Sequence, residues 1–344
     1  MIRIGIISPA EIAYRRFMPA LQQVPNFRFV GVAIYNEEER FQKKENLSES
    51  ELEIMQREIE KGKRFAREYG GKLFYSYEEL ITSDEVDALY IPLPPALHDV
   101  YAKKALLQGK HVLIEKPSSD SLEKTKEMIE IAKNHTLALY ENYMFVYHDQ
   151  IAALKDMIDS GKIGKIRLYS LKFGFPKRAA GDFRYMKNMG GGSLLDAGGY
   201  TMKLAGMLLG DSARVVCSTL NYEQEYDVDL YGSATLVNNA NVTAQVAFGM
   251  DNGYKCEIEV WGSQGTIKSE RIFTAPSGLK TTAIVSCSGQ GEVIELADDD
   301  AFRKSIEMFG LCIEKQMIRE NAYAEIMRQA ELIEQAKELS KHNM

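Results

Sequence analysis

The 344-residue chain lacks several features that would each define a class of protein. No apolar run approaches the roughly 18–20 residues that cross a bilayer, so we expect no membrane-spanning helix and no membrane partner. A net charge of −7 excludes the broad basic surface typical of proteins that bind nucleic acid. The N-terminus has no cationic segment followed by a long apolar stretch, and the cytoplasm is therefore the predicted compartment.

Cysteine is scarce and dispersed, which excludes the common metal-binding frameworks. The four cysteines form no C-x-x-C pair, and none lies near a histidine at metal-ligand spacing, so we predict no metal site. With 45% hydrophobic and 26% charged residues, the composition is that of a globular protein, and the length favours two domains.

Glycine is missing from the place where a nucleotide-binding unit would need it most. An apolar strand, I-R-I-G-I-I, runs into the turn S-P-A-E-I-A. The dinucleotide fingerprint G-x-G-x-x-G would place glycines where this chain has Ser8, Ala10 and Ala13. From these residues alone, the segment is either a modified cofactor site or a strand–helix unit that binds nothing.

Strands and helices alternate through about the first 145 residues, which predicts a parallel sheet with helices on both faces. A charged segment at about 37–65 interrupts the alternation; it would either reshape a nucleotide pocket at the end of the second strand, or be a solvated helical excursion or an oligomer contact. From residue 146 to 344 several strands have a period of two, which indicates a mostly antiparallel sheet accompanied by helices. The chain is therefore predicted to be an α/β protein with an N-terminal nucleotide-binding domain and a C-terminal α+β domain.

Reactive side chains collect at the ends of the fourth and fifth predicted strands, where ligands bind in sheets of this kind. His98 follows the fourth strand, and Glu115 and Lys116 end the fifth. A lysine beside a glutamate at a buried strand end is costly unless it has a partner or a function. A structural ion pair is the alternative interpretation.

Three motifs, in this order, resemble the Gfo/Idh/MocA family, named for glucose–fructose oxidoreductase, inositol dehydrogenase and a rhizopine catabolism protein. The first runs from His98 to Pro117 and ends in G-K-H-V-L-I-E-K-P; the second is G-G-G-S-L-L-D-A-G-G-Y at 190–200; the third is G-S-Q-G-T at 262–266. The resemblance implies a Rossmann domain over 1–120, extending to about 145. It also implies a substrate-binding and oligomerisation domain over 146–344, with a large open sheet and a C-terminal helix that packs back on the first domain.

The family resemblance also implies a reaction, which is hydride transfer with NAD or NADP at a hydroxyl or keto carbon of a sugar-type substrate. Lys116 would polarise the reacting oxygen, and Tyr200 would donate a proton to the alkoxide that forms. The sequence L-D-A-G-G-Y resembles that of family members that reduce keto groups on nucleotide-linked deoxysugars. Our first hypothesis is therefore a reductase of a keto-sugar, and in particular of a nucleotide-linked one. A dehydrogenase of a free sugar, cyclitol or diol is the alternative enzyme. A non-catalytic ligand-binding member is the alternative of another class, and the presence of Lys116 and Tyr200 argues against it.

The expected substrate contacts lie near the second motif and in the looser match E-N-Y-M-F; they are Asp196, Arg184, Tyr143 and Phe145. Asp196 would alternatively cap a helix, and Arg184 would alternatively form a structural ion pair. Because the family's open sheet commonly packs against another subunit, we expect a homodimer or homotetramer.

The expected cofactor contacts lie in the first turn and at the strand ends; they are Ser8, Pro9, Ala10, Glu11, Ile12, Tyr35, Asn36, Pro94, His98, Glu115 and Lys116. A site for NAD usually has an acid at the end of the second strand, where this chain has Tyr35 and Asn36. The missing acid favours NADP over NAD, with Arg40, Lys43 or Lys44 as candidate partners of the 2′-phosphate.

Overall fold

The computed structural model describes residues 1–42, 47–179 and 181–341. The chain divides into two compact units. The first comprises Met1–Ser119, Glu123–Asn142 and Ser305–Ile326, and the second comprises Asp120–Leu122, Tyr143–Lys304 and Met327–Met344. Each unit is built around its own sheet.

The first unit contains a six-stranded sheet in the order β3-β2-β1-β4-β5-β6, and all of its strand pairs are parallel. Its strands are β1 (Ile2–Ile7), β2 (Phe27–Ala33), β3 (Lys72–Phe74), β4 (Ala88–Ile91), β5 (His111–Glu115) and β6 (Leu139–Asn142). The four residues of β4 are all fully buried, as expected of a central strand that is covered on both faces.

Helices connect these strands, namely α1 (Met18–Leu21), α2 (Glu37–Phe41), α3 (Glu49–Tyr69), α4 (Tyr77–Thr82), α5 (Pro95–Leu107) and α6 (Leu122–Asn134). In the described part of the charged segment, α2 and the first turns of α3 provide the helices. Ser48 caps the N-terminus of α3: its hydroxyl accepts the Glu51 amide, and the Glu51 carboxylate accepts the Ser48 amide. This capping box satisfies two amides that the first turn of a helix leaves without partners.

The second unit contains an eight-stranded sheet in the order β14-β13-β12-β11-β7-β10-β9-β8, in which the β7–β10 pair is parallel and the others are antiparallel. The elements are α7 (Asp149–Asp159), β7 (Ile166–Gly174), α8 (Gly199–Leu209), β8 (Arg214–Tyr222), β9 (Asp229–Val237), β10 (Thr243–Gly249), β11 (Lys255–Gly262), β12 (Gly265–Glu270), β13 (Thr282–Cys287) and β14 (Gln290–Glu295). Two helices complete the chain, α9 (Ala301–Glu314) and α10 (Gln316–Lys341).

Alternation along the strands gives the second sheet a buried face and an exposed face. Leu171, Val246 and Ile258 point into the core on neighbouring strands, and α8 packs against β7 and β10 on this face. Trp261 and Ile284 point to the other face, where 58% and 42% of their surfaces are exposed. A buried inner face of this kind orients α8, which carries Tyr200.

Candidate active site

The turn after β1 has a left-handed residue where the dinucleotide fingerprint has its first glycine. Ser8 has φ of 81°, in the left-handed region that favours glycine. Its amide donates to the Ala33 carbonyl at 3.0 Å, which ties the turn to the end of β2. A helical segment with a π-helical turn at Ala13–Phe17 follows. Ser8 thus stands at the switch point between β1 and β4, where doubly wound sheets bind their ligands.

The remaining residues of this turn differ in exposure. Pro9 is buried and Ala10 is half-buried, while Glu11 and Ile12 are exposed. A tight turn followed by a helix N-terminus is the arrangement that receives a pyrophosphate. The described residues therefore fit a dinucleotide here, and the individual contacts of Ser8, Pro9, Ala10, Glu11 and Ile12 stay predictions.

The polar side chains that follow β2 are partly engaged by backbone groups. The Asn36 side chain accepts the Glu39 amide at 2.9 Å and caps α2. The Glu39 carboxylate accepts three backbone amides, from Asn36 at 2.9 Å and from residues 77 and 78 at 3.1 Å each. The Arg40 guanidinium lies 5.6 Å from the ring centre of Tyr35. Lys43 and Lys44, the other candidates for a 2′-phosphate, lie outside the described residues.

At the end of β5, the Glu115 carboxylate bonds mainly to its neighbours in the sheet. Its Oε1 accepts the Tyr90 hydroxyl from β4 and the Asn142 amide from β6, both at 2.7 Å. Burial raises the pKa of Glu115, against the opposing effect of these two donors and of Lys116. Glu115 thus joins three strand ends directly beside Lys116.

The loop that carries Lys116 is held from two sides. The Lys116–Pro117 peptide bond is cis. The carbonyl of Pro117 lies 2.8 Å from Nδ1 of the fully buried His98, and the Ser118 amide donates to Glu141 at 2.7 Å. The other ring nitrogen of His98 lies 2.6 Å from the Leu93 carbonyl, in the loop that includes Pro94. Burial lowers the pKa of His98 to about 4, so at neutral pH the ring carries one N–H and donates to one of the two carbonyls.

Tyr200 stands in the first turn of α8, inside a cluster of aromatic rings. A π-helical turn at Leu194–Gly198 leads directly into α8. The Tyr200 ring centre lies 5.5 Å from that of Tyr143, 5.7 Å from that of Phe145 and 5.2 Å from that of Phe173. Tyr143 and Phe145 are themselves 1% and 2% exposed, so they pack behind Tyr200. Direct contact of these two residues with a substrate stays a prediction.

Glycines of the second motif make room for neighbouring side chains. A Cβ on Gly199 would lie 2.3 Å from the Tyr143 hydroxyl, and one on Gly192 would lie 2.5 Å from Oδ1 of Asp229. The other oxygen of that carboxylate, Oδ2, accepts the Ser193 hydroxyl at 2.6 Å and the Leu194 amide at 2.7 Å. Asp229 therefore caps the helical turn that leads to Tyr200.

Arg184 and Asp196 form an ion pair within the second unit. Nε of Arg184 donates to Asp196 at 2.6 Å, and its NH1 donates to Asp182 at 3.1 Å. Burial opposes the guanidinium charge, but the two carboxylates outweigh it and raise the pKa of Arg184. The alternative of an ion pair thus holds for Arg184, and the Leu194 amide at the start of the turn is capped by Asp229. Substrate binding by the pair stays a prediction.

Two residues near Tyr200 are not predicted by the sequence motifs. Asp229 lies in D-V-D-L-Y-G at the start of β9, and Gln329 lies in the middle of α10. Neither belongs to a motif, and in the sequence both resemble ordinary surface polar residues.

Two absences concern the described residues as a whole. Within 1–42, 47–179 and 181–341, no helix is long and apolar enough to cross a membrane. In the same ranges, no group of three or more His, Cys, Asp or Glu side chains is arranged to hold a metal ion.

Comparison with known proteins covers both units. Residues 10–143 match a family model described as an oxidoreductase family with an NAD-binding Rossmann fold, and residues 151–268 match the GFO/IDH/MocA C-terminal domain. The chain is 34% identical over 333 residues to dTDP-3,4-didehydro-2,6-dideoxy-alpha-D-glucose 3-reductase of Actinomadura kijaniata, which covers 97% of this chain and 94% of that protein. A protein of the same name from Streptomyces violaceoruber is 34% identical over 342 residues, with the same coverage.

Solved structures give the same result. A 3-ketoreductase from Actinomadura kijaniata, in complex with NADP and TDP-benzene, matches with a TM-score of 0.89 at 34% identity, covering 98% of this chain and 97% of that one. Variants of that ketoreductase with a tyrosine replaced by phenylalanine, or a lysine by alanine, have also been solved. The predicted α/β fold and the predicted family are thereby confirmed: the chain belongs to the Gfo/Idh/MocA family of NAD(P)-dependent oxidoreductases.

Proposed function

We propose that this oxidoreductase transfers a hydride to a keto group of a nucleotide-linked sugar. The bound nicotinamide supplies the hydride. The Lys116 ammonium hydrogen-bonds the carbonyl oxygen and stabilises the negative charge that develops on it. Tyr200 then donates its phenolic proton to that oxygen, which completes the alcohol.

The observation that carries this proposal is that Lys116 and Tyr200 are both present and that hydrogen bonds or packed rings hold the backbone around each. Lys116 follows the Glu115 network and precedes the loop held by His98 and Glu141. Tyr200 stands in the first turn of α8 among packed rings. A merely ligand-binding protein would have no need of a lysine and a tyrosine at these two places. The 34% identity to 3-ketoreductases favours a keto-sugar over a free sugar, cyclitol or diol.

The direct test is consumption of NADPH by the purified chain with a nucleotide-linked keto-deoxysugar. We expect turnover with that substrate, and much slower oxidation of free sugars, cyclitols and diols. Faster turnover of a free polyol would support the dehydrogenase alternative. Tight binding of the dinucleotide with no turnover of any ketone or alcohol would support the non-catalytic alternative.

We propose NADP(H) as the preferred cofactor, with Arg40 facing the 2′-phosphate. The support is that the carboxylate of Glu39, three residues beyond Asn36, is occupied by three backbone amides. The Arg40 guanidinium beside Tyr35 adds a positive charge, which suits the 2′-phosphate that NADP has and NAD lacks.

Calorimetric titration tests this cofactor choice. Arg40→Ala should weaken NADPH binding about tenfold while changing NADH binding little, since one charge-assisted contact with the phosphate is lost. Arg57→Ala, which removes an exposed arginine of α3 paired with Glu53, is the matched control. Equal weakening of NADPH and NADH by Arg40→Ala would contradict the assignment.

We further propose a homodimer or homotetramer assembled through the exposed face of the eight-stranded sheet. Trp261, Ile284 and Val293 expose large apolar surfaces on that sheet. Covering such residues is a common reason for association. Light scattering should give a dimer or tetramer for the wild type and a smaller species for Trp261→Glu; a monomeric wild type would contradict the proposal. The cytoplasm remains the predicted compartment.

A further inference from the structure

Gln329, on α10 in the second unit, takes no part in the reaction proposed above, yet its side chain lies beside the turn that carries Tyr200. It is only 2% exposed. Its Nε2 donates to the Gly199 carbonyl at 2.9 Å and to the Tyr143 hydroxyl at 3.3 Å. One amide group therefore joins the backbone immediately before Tyr200 to the side chain of Tyr143.

Both groups bonded to Gln329 are in turn in contact with Tyr200. Gly199 precedes it in the chain, and the Tyr143 ring meets the Tyr200 ring edge to face, with centres 5.5 Å apart at 89°. The absence of a side chain on Gly199 allows this approach, since a Cβ there would lie 2.3 Å from the Tyr143 hydroxyl. A shift of Gln329 would thus reach Tyr200 through its backbone and through its ring.

Stability alone does not favour a glutamine at this place. Oε1 of Gln329 is buried and has no hydrogen-bond donor among the residues that the structure describes. A buried acceptor without a donor is unfavourable, and an apolar residue of similar size would avoid this. What the glutamine supplies, and an apolar residue would not, is the pair of bonds that Nε2 makes to the Gly199 carbonyl and the Tyr143 hydroxyl.

We propose that Gln329 is a positioning residue for proton transfer. By holding the Gly199 carbonyl and the Tyr143 hydroxyl at fixed places, it fixes the start of α8 and the ring against which Tyr200 packs, and so aims the Tyr200 hydroxyl. This inference rests on the proposed function, because it takes Tyr200 as the proton donor.

Gln329→Leu tests the proposal, with Gln335→Leu as the matched control. Gln335 lies on the same helix and also makes a hydrogen bond within the second unit, since its Oε1 accepts the Val215 amide at 2.9 Å. We expect Gln329→Leu to lower kcat about tenfold to a hundredfold with KM nearly unchanged, because small displacements of a reacting group have effects of this size. Gln335→Leu should leave kcat nearly unchanged.

Repeating the Gln329→Leu substitution in a Tyr200→Phe variant shows whether its effect on kcat depends on Tyr200. Once Tyr200→Phe has removed the proton donor, adding Gln329→Leu should lower the residual kcat by less than about twofold, since the two changes act on one step. An unchanged kcat in Gln329→Leu, or an equal loss in both backgrounds, would overturn the proposal.

A pH titration of Tyr200 tests the proposal independently of any assay of ketone reduction. Ultraviolet absorbance of the wild type, from which that of Tyr200→Phe is subtracted, reports the ionisation of Tyr200. The midpoint should move in Gln329→Leu, or in Gln329→Met if the leucine variant does not fold, and should stay in place in Gln335→Leu. An unmoved midpoint in the glutamine variant would overturn the proposal. A wild type that reduces no keto-sugar would refute only the proposed function.

Discussion

The turn after β1 in the first unit and the turn before Tyr200 in the second differ in how they tolerate side chains. At Ser8, a left-handed backbone with φ of 81° carries a serine in place of the usual glycine. At Gly192, φ is 117° and a Cβ would lie 2.5 Å from the Asp229 carboxylate. The first turn has room for a side chain, whereas in the second a carboxylate from a distant strand occupies that room.

This difference indicates which contacts position the reactive side chain in each unit. In the first unit, parallel strands deliver Lys116 and its supports to one edge of the sheet, and the turn at Ser8 needs only the right backbone path. In the second unit, Tyr200 lies on a helix whose start is set by Asp229 and Gln329, from elsewhere in the chain. Substitutions in the second turn should therefore be costlier than those in the first.

The largest effect is expected on kcat when the proposed proton donor on α8 is removed. Tyr200→Phe removes the proposed proton donor and keeps the ring among its aromatic neighbours, so kcat should fall about 10²- to 10⁴-fold. Affinity for NADPH should stay unchanged, and calorimetry supplies that control. A kcat within about threefold of the wild type would refute the role of Tyr200.

Gly192→Ala should destabilise the second unit by about 2–4 kcal/mol, because a strained φ and a collision with Asp229 add together. Gly161→Ala is the matched control, since Gly161 has φ of 71° and a Cβ added there would meet nothing within 4 Å. The control should cost about 1–2 kcal/mol in urea unfolding. Equal costs for the two variants would show that the carboxylate exerts no steric restriction.

Asp229→Asn should remove a pH dependence of stability. Burial raises the pKa of Asp229 above 3.8 in the folded chain, so the folded state binds more protons than the unfolded state at pH values between the two pKa values. The wild type should therefore lose stability as pH rises from about 4 through the raised pKa, and the asparagine variant should lack this loss. Urea unfolding of both proteins across this range measures it. A difference between them that is constant with pH would contradict the account.

Ser8→Gly should have the smallest effect, because relief of the left-handed conformation and the added freedom of the unfolded chain nearly cancel. The free energy of unfolding should change by less than about 1 kcal/mol. NADPH affinity should change little as well. A loss of several kcal/mol would mean that the serine side chain itself holds the turn in place.

The sequence predicts much of the fold because periodicity and strand ends carry the information. The alternation of the first unit and the period of two in β9 to β11 identify those elements, and the motifs locate Lys116 and Tyr200. Strand β14 is harder to recognise, because its residues are largely exposed. Asp229 and Gln329 are not predictable, because their roles depend on contacts with residues 35 and 130 positions away. The same holds for Tyr143 and Phe145, whose burial behind Tyr200 is set by tertiary packing.

The central claim is hydride transfer to a keto carbon, and an isotope measurement tests it most directly. The wild type is given NADPH deuterated at the transferable position together with a nucleotide-linked keto-deoxysugar, and the product is analysed by mass spectrometry and NMR. The account predicts deuterium on the former carbonyl carbon, with no transfer in Lys116→Ala on the same timescale. A product without deuterium at that carbon, or equal transfer by Lys116→Ala, would contradict it.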